Sequence, residues 1–193
     1  MALTQLIDLY LKQDTMSSPR IILFANTAWY LFNFRLDLAS KLRERGYDVI
    51  LLAPYDEYVS RLEELGFRVV TVNMHRKGLN PIRELILLLQ IFRIYRSLKP
   101  TAVFNFTIKC VVYGSFAAML SGIKSRINAV AGLGTIFTNT GVKYRILKPA
   151  ISGLLKLALC GRSNRLIVQN TDDLAVFIDN GIVHAERVTL IRG

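Results

Sequence analysis

The sequence predicts an α/β fold: a doubly wound parallel sheet of about seven strands with helices on both faces. Short apolar runs alternate with longer amphipathic segments along almost the whole chain. The apolar runs are continuous, which is typical of parallel strands buried on both faces. Glycine follows most of the amphipathic segments, as expected at helix C-termini. Such alternation indicates βαβ units, whose crossovers are right-handed.

The first half of the chain is predicted to contain three strands and two helices. The first helix is indicated by Phe34, Leu38 and Leu42, which recur on one helical face, and by Gly46, which follows the segment. The second helix is closed in the same way by Gly66. The predicted elements are strands over 21–25, 49–53 and 69–72 and helices over 31–45 and 57–65.

The second half continues the alternation with helices whose starts are marked. Asn80 is predicted to cap a helix that has Pro81 at its first position, since both residues are favoured there. Thr171 is predicted to cap the last helix, which ends at Gly181. The predicted elements are helices over 81–98, 111–120, 143–159 and 171–180 and strands over 102–106, 127–131, 166–168 and 188–191.

Charge is distributed unevenly along the 193 residues. The formal net charge is +11, and residues 85–171 contain no aspartate or glutamate. A basic region of this kind predicts a partner with negative charge, which is an anionic lipid, a phosphate-bearing substrate or a nucleic acid. The basic residues of the region are Arg93, Arg96, Lys99, Lys109, Lys124, Arg126, Lys143, Arg145, Lys148, Lys156, Arg162 and Arg165.

Cysteine usage and the absence of targeting signals predict a cytoplasmic protein. Cys110 and Cys160 both lie among apolar residues, so we expect two buried free thiols. No basic n-region precedes the first apolar residues, and no run of 18 apolar residues occurs. Residues 1–19 are predicted to be an amphipathic lead-in, and residues 20–193 one domain.

Ligands of parallel sheets bind at the carboxyl ends of the strands, so the loops there supply the candidate residues. Neither a G-x-G-x-x-G nor a P-loop motif is present, which disfavours dinucleotide and triphosphate sites. Cationic side chains can bind a diphosphate and glycine amides an anion, although capping, a solvated charge or a plain turn explains each residue equally well. The candidates are Asn33 and Arg35 at a helix entrance, Arg76 and Lys77 after strand three, Thr107 and Lys109 after strand four, and Gly132, Gly134 and Thr135 after strand five. No spacing typical of a metal site or a catalytic triad is found.

An ordered set of motifs resembles the N-terminal domain of family 4-like glycosyltransferases, in the bacterial branch that extends lipid-linked sugars. The motifs are Asn33-Phe34-Arg35-Leu36-Asp37-Leu38, Arg76-Lys77-Gly78 with Asn80-Pro81, Thr107-Ile108-Lys109, Gly132-Leu133-Gly134-Thr135, and Val168-Gln169-Asn170 with Asp172-Asp173.

The resemblance implies the two-domain GT-B architecture, of which residues 20–193 would be the Rossmann-like N-terminal half. In the family this half holds mainly the acceptor. The C-terminal half holds the nucleotide-sugar donor with a Glu-x7-Glu motif, and we expect it to be absent from this chain or supplied separately.

The implied function is acceptor binding by a retaining glycosyltransferase of cell-surface polysaccharide synthesis. The acceptor would be a lipid-diphosphate-linked sugar. The group transferred would be hexosyl or N-acetylhexosaminyl, from a nucleotide sugar, with UDP expected and no cofactor or nucleic acid required. Two alternatives remain: a non-catalytic basic module that binds membrane or nucleic acid, and a sugar-nucleotide epimerase of the same architecture.

The predicted helix over 143–159 is basic and otherwise apolar. Lys143, Arg145, Lys148 and Lys156 are candidates for contact with lipid phosphates on the inner face of the plasma membrane. The competing interpretation is a helix whose apolar side covers the sheet while its cations are solvated.

Overall fold

The computed structural model describes residues 18–75, 80–130, 142–161 and 163–191, with the backbone alone for 142–147. The predicted lead-in, which ends at residue 19, therefore lies almost wholly outside the described residues. The candidates Arg76, Lys77, Gly132, Gly134 and Thr135 also lie outside them, as do the side chains of Lys143 and Arg145.

The described chain folds around one seven-stranded sheet in which every neighbouring pair of strands is parallel. The order is β3-β2-β1-β4-β5-β6-β7. The chain adds β2 and β3 on one side of β1 and then crosses back to add β4 to β7 on the other side. This confirms the predicted doubly wound sheet. The strands are β1 Arg20–Phe24, β2 Asp48–Ala53, β3 Arg68–Thr71, β4 Ala102–Phe106, β5 Ser125–Val130, β6 Asn164–Val168 and β7 Val188–Leu190.

Helices cover both faces of the sheet, as predicted. The helices are α1 Ala28–Glu44, α2 Tyr58–Glu64, α3 Pro81–Leu98, α4 Ile108–Leu120, α5 Val142–Ala158 and α6 Thr171–Asp179, and a 3-10 turn over Ala185–Arg187 precedes β7. On one face, α1 and α2 pack with residues such as Ile21, Leu23 and Leu51. On the other, α3 to α6 pack with the opposite side chains of the strands, such as Ile22 and Val168.

Three helices begin earlier than predicted, or behind a different cap. One is α4, which is predicted to begin at residue 111 and begins at Ile108. The Thr27 hydroxyl accepts a hydrogen bond from the Tyr30 N–H, so α1 begins at Ala28 and Asn33 lies inside the helix rather than at its entrance. The N-cap of α6 is Asn170, whose Oδ1 accepts from the Asp173 N–H at 2.7 Å, and Thr171 is the first helical residue. Asn80 and Pro81 begin α3 as predicted.

The two helical layers differ in charge. The layer of α1 and α2 contains acidic residues, among them Asp37, Glu44 and Glu63. By contrast, α4 and α5 and all of α3 beyond Glu84 fall in the acid-free part of the sequence. The sheet therefore separates a mixed-charge layer from one that is basic except at Glu84 of α3 and at α6, which carries Asp172, Asp173 and Asp179.

A chain of asparagine side chains crosses the buried side of β4, β5 and β6 beneath the basic layer. Asn105 Nδ2 donates to Asn128 Oδ1 at 2.8 Å, and Asn128 Nδ2 donates to Asn164 Oδ1 at 2.8 Å. Ser115 of α4 also donates to Asn128 Oδ1, and Asn164 Nδ2 donates to the Ala158 carbonyl at the end of α5. These bonds fix α4 and α5 on the sheet, because buried amides are costly unless they are paired.

The cysteines are both free, but only one is buried as predicted. Cys110 is fully buried, whereas Cys160 is exposed because it follows the last turn of α5 at the surface. Burial raises the pKa of the Cys110 thiol to about 12.

We expect one thiol of the native chain to react rapidly with Ellman's reagent at pH 8, and two after unfolding, because only an exposed thiolate is a good nucleophile. Cys160→Ser should remove the rapid phase and Cys110→Ser should leave it. Two equally fast thiols in the native chain would contradict this assignment.

Candidate functional site

The candidate site lies where the carboxyl ends of β1 and β4 meet. These strands are neighbours, and the chain leaves them in opposite directions, so a crevice opens between the loops that follow. Arg35 of α1 and Thr107 and Lys109 after β4 come to this edge, as the sequence predicted.

Arg35 is held against two aromatic rings. Its guanidinium carbon lies 4.6 Å from the ring centre of Phe106, the last residue of β4, and 5.3 Å from that of Tyr30. Its Nη2 donates to the Tyr30 hydroxyl at 2.7 Å, while its buried Nε has no hydrogen-bond partner among the described residues. No carboxylate of the described residues forms an ion pair with Arg35. Arg35 is thus a preoriented cation, and since its Nε is buried, its Nη atoms are the ones that can meet an anion.

Thr107 has an unusual backbone conformation. Its φ is 73° and its ψ is 152°, a region that only glycine enters without strain. The strain is retained between the end of β4 and the first residue of α4, and the Thr107 N–H bonds to the Ala129 carbonyl of β5. Strained residues of this kind cluster at functional sites.

Thr107→Gly should raise the free energy of unfolding by about 1 kcal/mol, since relief of the strain exceeds the extra entropy that glycine loses on folding. Thermal or urea unfolding measures this change. Thr101→Gly, at another threonine just before β4, is the control and should destabilise. A Thr107→Gly variant less stable than the parent would show that no strain is stored.

Lys109 is an internally paired cation. Its ammonium donates to Glu84 Oε1 of α3 and to the His75 carbonyl, each at 2.7 Å, and both charged side chains are mostly buried. The nearby Tyr113 phenol has its pKa raised, first by burial and then by its hydrogen bond to Glu84. The sequence suggested that a cation at a helix start awaits a negative ligand; Glu84 supplies one negative charge from within the chain, and contact of Lys109 with an acceptor stays a prediction. Lys109 therefore positions α3 and the end of the β3 segment.

Asn33 is exposed and donates to the Trp29 carbonyl one turn earlier in α1, at 2.9 Å. Among the described residues, no hydrogen bond joins it to Arg35. Next to it lies an aromatic rim that the sequence motifs did not indicate. Trp29, Phe34 and Tyr55 are all exposed, and the ring centres of Trp29 and Phe34 lie 5.4 Å apart. The available signal was the position of Tyr55, two residues after the end of β2.

The loop after β2 is tied to this rim. Asp56 Oδ2 accepts from the Trp29 N–H at 3.1 Å, and Asp56 Oδ1 accepts from the Tyr58 N–H at 2.9 Å. One carboxylate therefore fixes the start of α1 and the start of α2 relative to each other. This bond gives the rim a defined position at the carboxyl edge.

A cavity of about 660 Å³ opens at the opposite edge of the sheet, where β4 and β5 begin. Lys99 and Lys124 line it, at the amino ends of strands whose carboxyl ends carry the candidate site. In the described ranges, no group of three or more His, Cys, Asp or Glu side chains could hold a metal ion. No described helix has both the length and the apolarity needed to cross a membrane.

The helix α5 covers the sheet with one side. Leu155, Ala158 and Leu159 next to it are buried, whereas Lys156 is exposed and Lys148 is partly exposed. The sheet-covering interpretation therefore applies to its buried side, and membrane contact through Lys148 and Lys156 stays a prediction.

A curated relative is similar over most of the described fold. The chain is 27% identical over 139 residues to the N,N'-diacetylbacillosaminyl-diphospho-undecaprenol alpha-1,3-N-acetylgalactosaminyltransferase of Campylobacter jejuni subsp. jejuni serotype O:2. The aligned part is 72% of this chain and 37% of the relative. The chain thus spans little more than a third of the length of the curated relative that it matches.

Solved structures share the fold. MurG of Acinetobacter baumannii matches with a TM-score of 0.57 and 18% identity, over 91% of this chain and 45% of that one. A putative UDP-N-acetylglucosamine 2-epimerase from Listeria monocytogenes matches with a TM-score of 0.63 and 11% identity, over 90% and 45%. The fold is therefore the α/β half that glycosyltransferases and epimerases share, and fold alone does not separate these activities.

The match to a sequence family separates glycosyltransferases from epimerases. The family described as "Glycosyl transferase 4-like" matches residues 20–170, which contain β1 to β6 and the residues of the candidate site. This match includes most of the chain. The chain belongs to the glycosyl transferase 4-like family.

Proposed function

We propose that this chain is the acceptor-binding half of a glycosyltransferase that acts on a lipid-diphosphate-linked sugar. The transferred group would be hexosyl or N-acetylhexosaminyl, taken from a UDP-sugar with retention of configuration. The setting would be cell-surface polysaccharide synthesis on the inner face of the plasma membrane. The family match and the diphospho-undecaprenol named in the relative's substrate support this proposal.

The observation that carries the proposal is Arg35. A guanidinium stacked on Phe106 and bonded to the Tyr30 hydroxyl loses little freedom when it binds an anion. It can present parallel N–H donors to a diphosphate, which a lysine cannot do. The site therefore suits the charged linkage of such an acceptor.

Two neighbouring features extend the site. The side chain of Thr107 does not cap α4, so the first N–H groups of this helix add a positive dipole beside Arg35. The exposed rings of Trp29 and Phe34 can lie against the apolar face of a sugar. The chain's residues would thus bind and orient the acceptor, and we assign no catalytic base.

Arg35→Ala should weaken binding of a short-chain polyprenyl-diphosphate sugar by about 10- to 100-fold, because a bidentate charge-assisted pair is lost. Arg35→Lys should recover part of the affinity. Isothermal titration calorimetry measures both. Arg43→Ala is the matched control, since Arg43 also belongs to α1 and lies 4.2 Å from an aromatic ring centre, that of Phe67.

Equal affinity of the Arg35→Ala variant and the parent would contradict the site. The two competing functions predict different results when the same chain is tested with a UDP-sugar and with DNA. Turnover of a UDP-N-acetylhexosamine to its epimer would favour the epimerase. Tight binding of DNA in place of the acceptor would favour a nucleic-acid module.

A further inference from the structure

The cavity at the amino edge of the sheet lies between the ends of two helices. It is lined by the connections from α3 to β4 and from α4 to β5 and by Ser163 before β6, and it is called the amino-edge cavity below. Its volume of about 660 Å³ is in the range of sites for small organic molecules. The whole length of β4, about 15 Å of strand, separates it from the candidate site at the carboxyl edge. The two sites would therefore take different ligands.

Three cations line the amino-edge cavity, and no carboxylate of the described residues does. The cations are Arg96, Lys99 and Lys124, and all three are exposed. Among the described residues, none of the three side chains forms an ion pair or a hydrogen bond. Every lining residue falls in the acid-free part of the sequence. The amino-edge cavity thus collects positive charge that the described chain does not neutralise, which favours an anionic ligand.

Hydroxyl groups complete the polar lining. Ser121, the C-cap of α4, has a buried Oγ without a hydrogen-bond partner among the described residues. The other hydroxyl side chains of the lining are Thr101, Ser125 and Ser163. A hydroxyl can donate to a phosphate oxygen and can also bond to the hydroxyl of a sugar. The lining therefore suits a ligand that carries both phosphate and polar organic groups.

Lys99 is held in a backbone conformation that glycine favours. It is the C-cap of α3 with a φ of 47° and a ψ of 55°, and its N–H bonds to the Tyr95 carbonyl at 2.8 Å. Each of the other five described helices is followed within three residues by a glycine with positive φ, namely Gly46, Gly66, Gly122, Gly161 and Gly181. A side chain at such a position adds strain that glycine avoids, and strain of this kind is retained at ligand sites. A lysine here is explained if its ammonium group is needed at the amino-edge cavity.

The ends of α3 and α4 offer a second reason for cations at this edge. The last carbonyl groups of a helix carry partial negative charge, which Arg96 and Lys99 stabilise. This role does not need a lysine at a left-handed position, because a lysine within the last turn would serve as well. It also leaves Lys124 unexplained, since that residue lies four positions beyond the end of α4.

We propose that the amino-edge cavity binds a soluble organic diphosphate. Arg96, Lys99 and Lys124 would meet the diphosphate, since three cations match its charge better than that of a single phosphate. A lipid-borne diphosphate is a poorer occupant, because the apolar residues of the lining are buried and leave no surface for an acyl chain. The inference goes beyond the proposed function, which places the diphosphate of the acceptor at Arg35 on the opposite edge.

The test is isothermal titration calorimetry of the chain with ADP and with adenosine. ADP should bind, adenosine should not, and the ADP affinity should decline with added salt. Arg96→Gln should weaken ADP binding about tenfold, and Lys99→Gln with Lys124→Gln about 100-fold, because each lost charge-assisted contact costs about a factor of ten. Arg93→Gln is the matched control, since Arg93 is also exposed on α3 but does not line the cavity.

Lys99→Gly separates a ligand role from a structural one. Glycine suits a φ of 47°, so this variant should unfold at the temperature of the parent or above it, while its affinity for ADP falls about tenfold. A lower unfolding temperature with unchanged affinity would assign Lys99 to the helix end alone and overturn the inference.

Two further outcomes would overturn the inference. ADP could bind no better than adenosine, or Arg93→Gln could lose as much affinity as Arg96→Gln. Titration of the same variants with the short-chain polyprenyl-diphosphate sugar separates this inference from the proposed function. ADP binding that depends on Lys99 and Lys124, without acceptor binding that depends on Arg35, would leave the amino-edge cavity in place and reject the acceptor site, and the reverse would do the opposite.

Discussion

Gly114→Ala should lower the free energy of unfolding by about 3 kcal/mol. A methyl group at position 114 would lie 2.7 Å from Asn105 Cγ and 3.1 Å from Phe24 Cδ1, and closer still to Asn105 Oδ1. The Asn105 amide cannot move away freely, because its Nδ2 donates to Asn128 within a fully buried chain of asparagines. Overpacking and a disturbed buried hydrogen bond each cost about 1–3 kcal/mol, and the helix propensity of alanine returns less than 1 kcal/mol.

Gly153→Ala is the matched control for this prediction. Gly153 also lies inside a helix, but apart from its chain neighbours and the backbone of its own helix, no atom lies within 4 Å of the position a methyl group would take. The control should therefore stabilise the chain by up to about 1 kcal/mol. Chemical denaturation of both variants measures the contrast, and equal effects of the two changes would show that α4 does not approach β4 as closely as described.

A second substitution tests whether contact with Asn105 causes the loss of stability. Asn105→Ala removes the group that alanine at position 114 would meet, so the double variant Gly114→Ala with Asn105→Ala should be more stable than the sum of the single effects predicts. If the two single effects add strictly, the loss of stability in Gly114→Ala does not come from contact with Asn105.

The fold could be predicted from local sequence signals. Mostly apolar runs identified every strand, because parallel strands covered on both faces are rich in apolar side chains, although Asn105 and Asn128 interrupt two of the runs. Gly46 and Gly66 identified two helix ends, and both have a positive φ that favours glycine. The start of α1 was placed three residues late because its cap is the Thr27 hydroxyl, which lies in a segment where aromatic residues hide the helical period.

The candidate site was predictable only in part. Strand ends indicated which residues reach the carboxyl edge, and Arg35 and Thr107 are there. Partners distant in sequence were not predictable: Glu84 pairs with Lys109 from 25 residues away, and Phe106 lies beneath Arg35 although they belong to different elements. The exposure of Cys160 and of Ile82 and Leu85 in α3 likewise depends on which helical side meets the sheet, and an apolar run in the sequence does not show this.

The largest electrostatic effect is expected at Lys109. Lys109→Met should lower the free energy of unfolding by about 2–3 kcal/mol, because the Glu84 carboxylate would stay mostly buried without its cation. The His75 carbonyl would lose its donor as well. The sequence alone suggests a change in ligand binding with intact folding, so stability distinguishes the two roles.

The exposed pair Lys41–Asp37 is the control. Its atoms are also 2.7 Å apart, but its side chains are 52% and 80% exposed, so Lys41→Met should cost no more than about 0.5 kcal/mol. Replacing both buried partners, as in Glu84→Leu with Lys109→Met, should restore most of the stability, since no charge is then left buried. If Lys109→Met keeps full stability and only acceptor binding falls, Lys109 contacts the ligand and the internal pair does not hold α3 to α4.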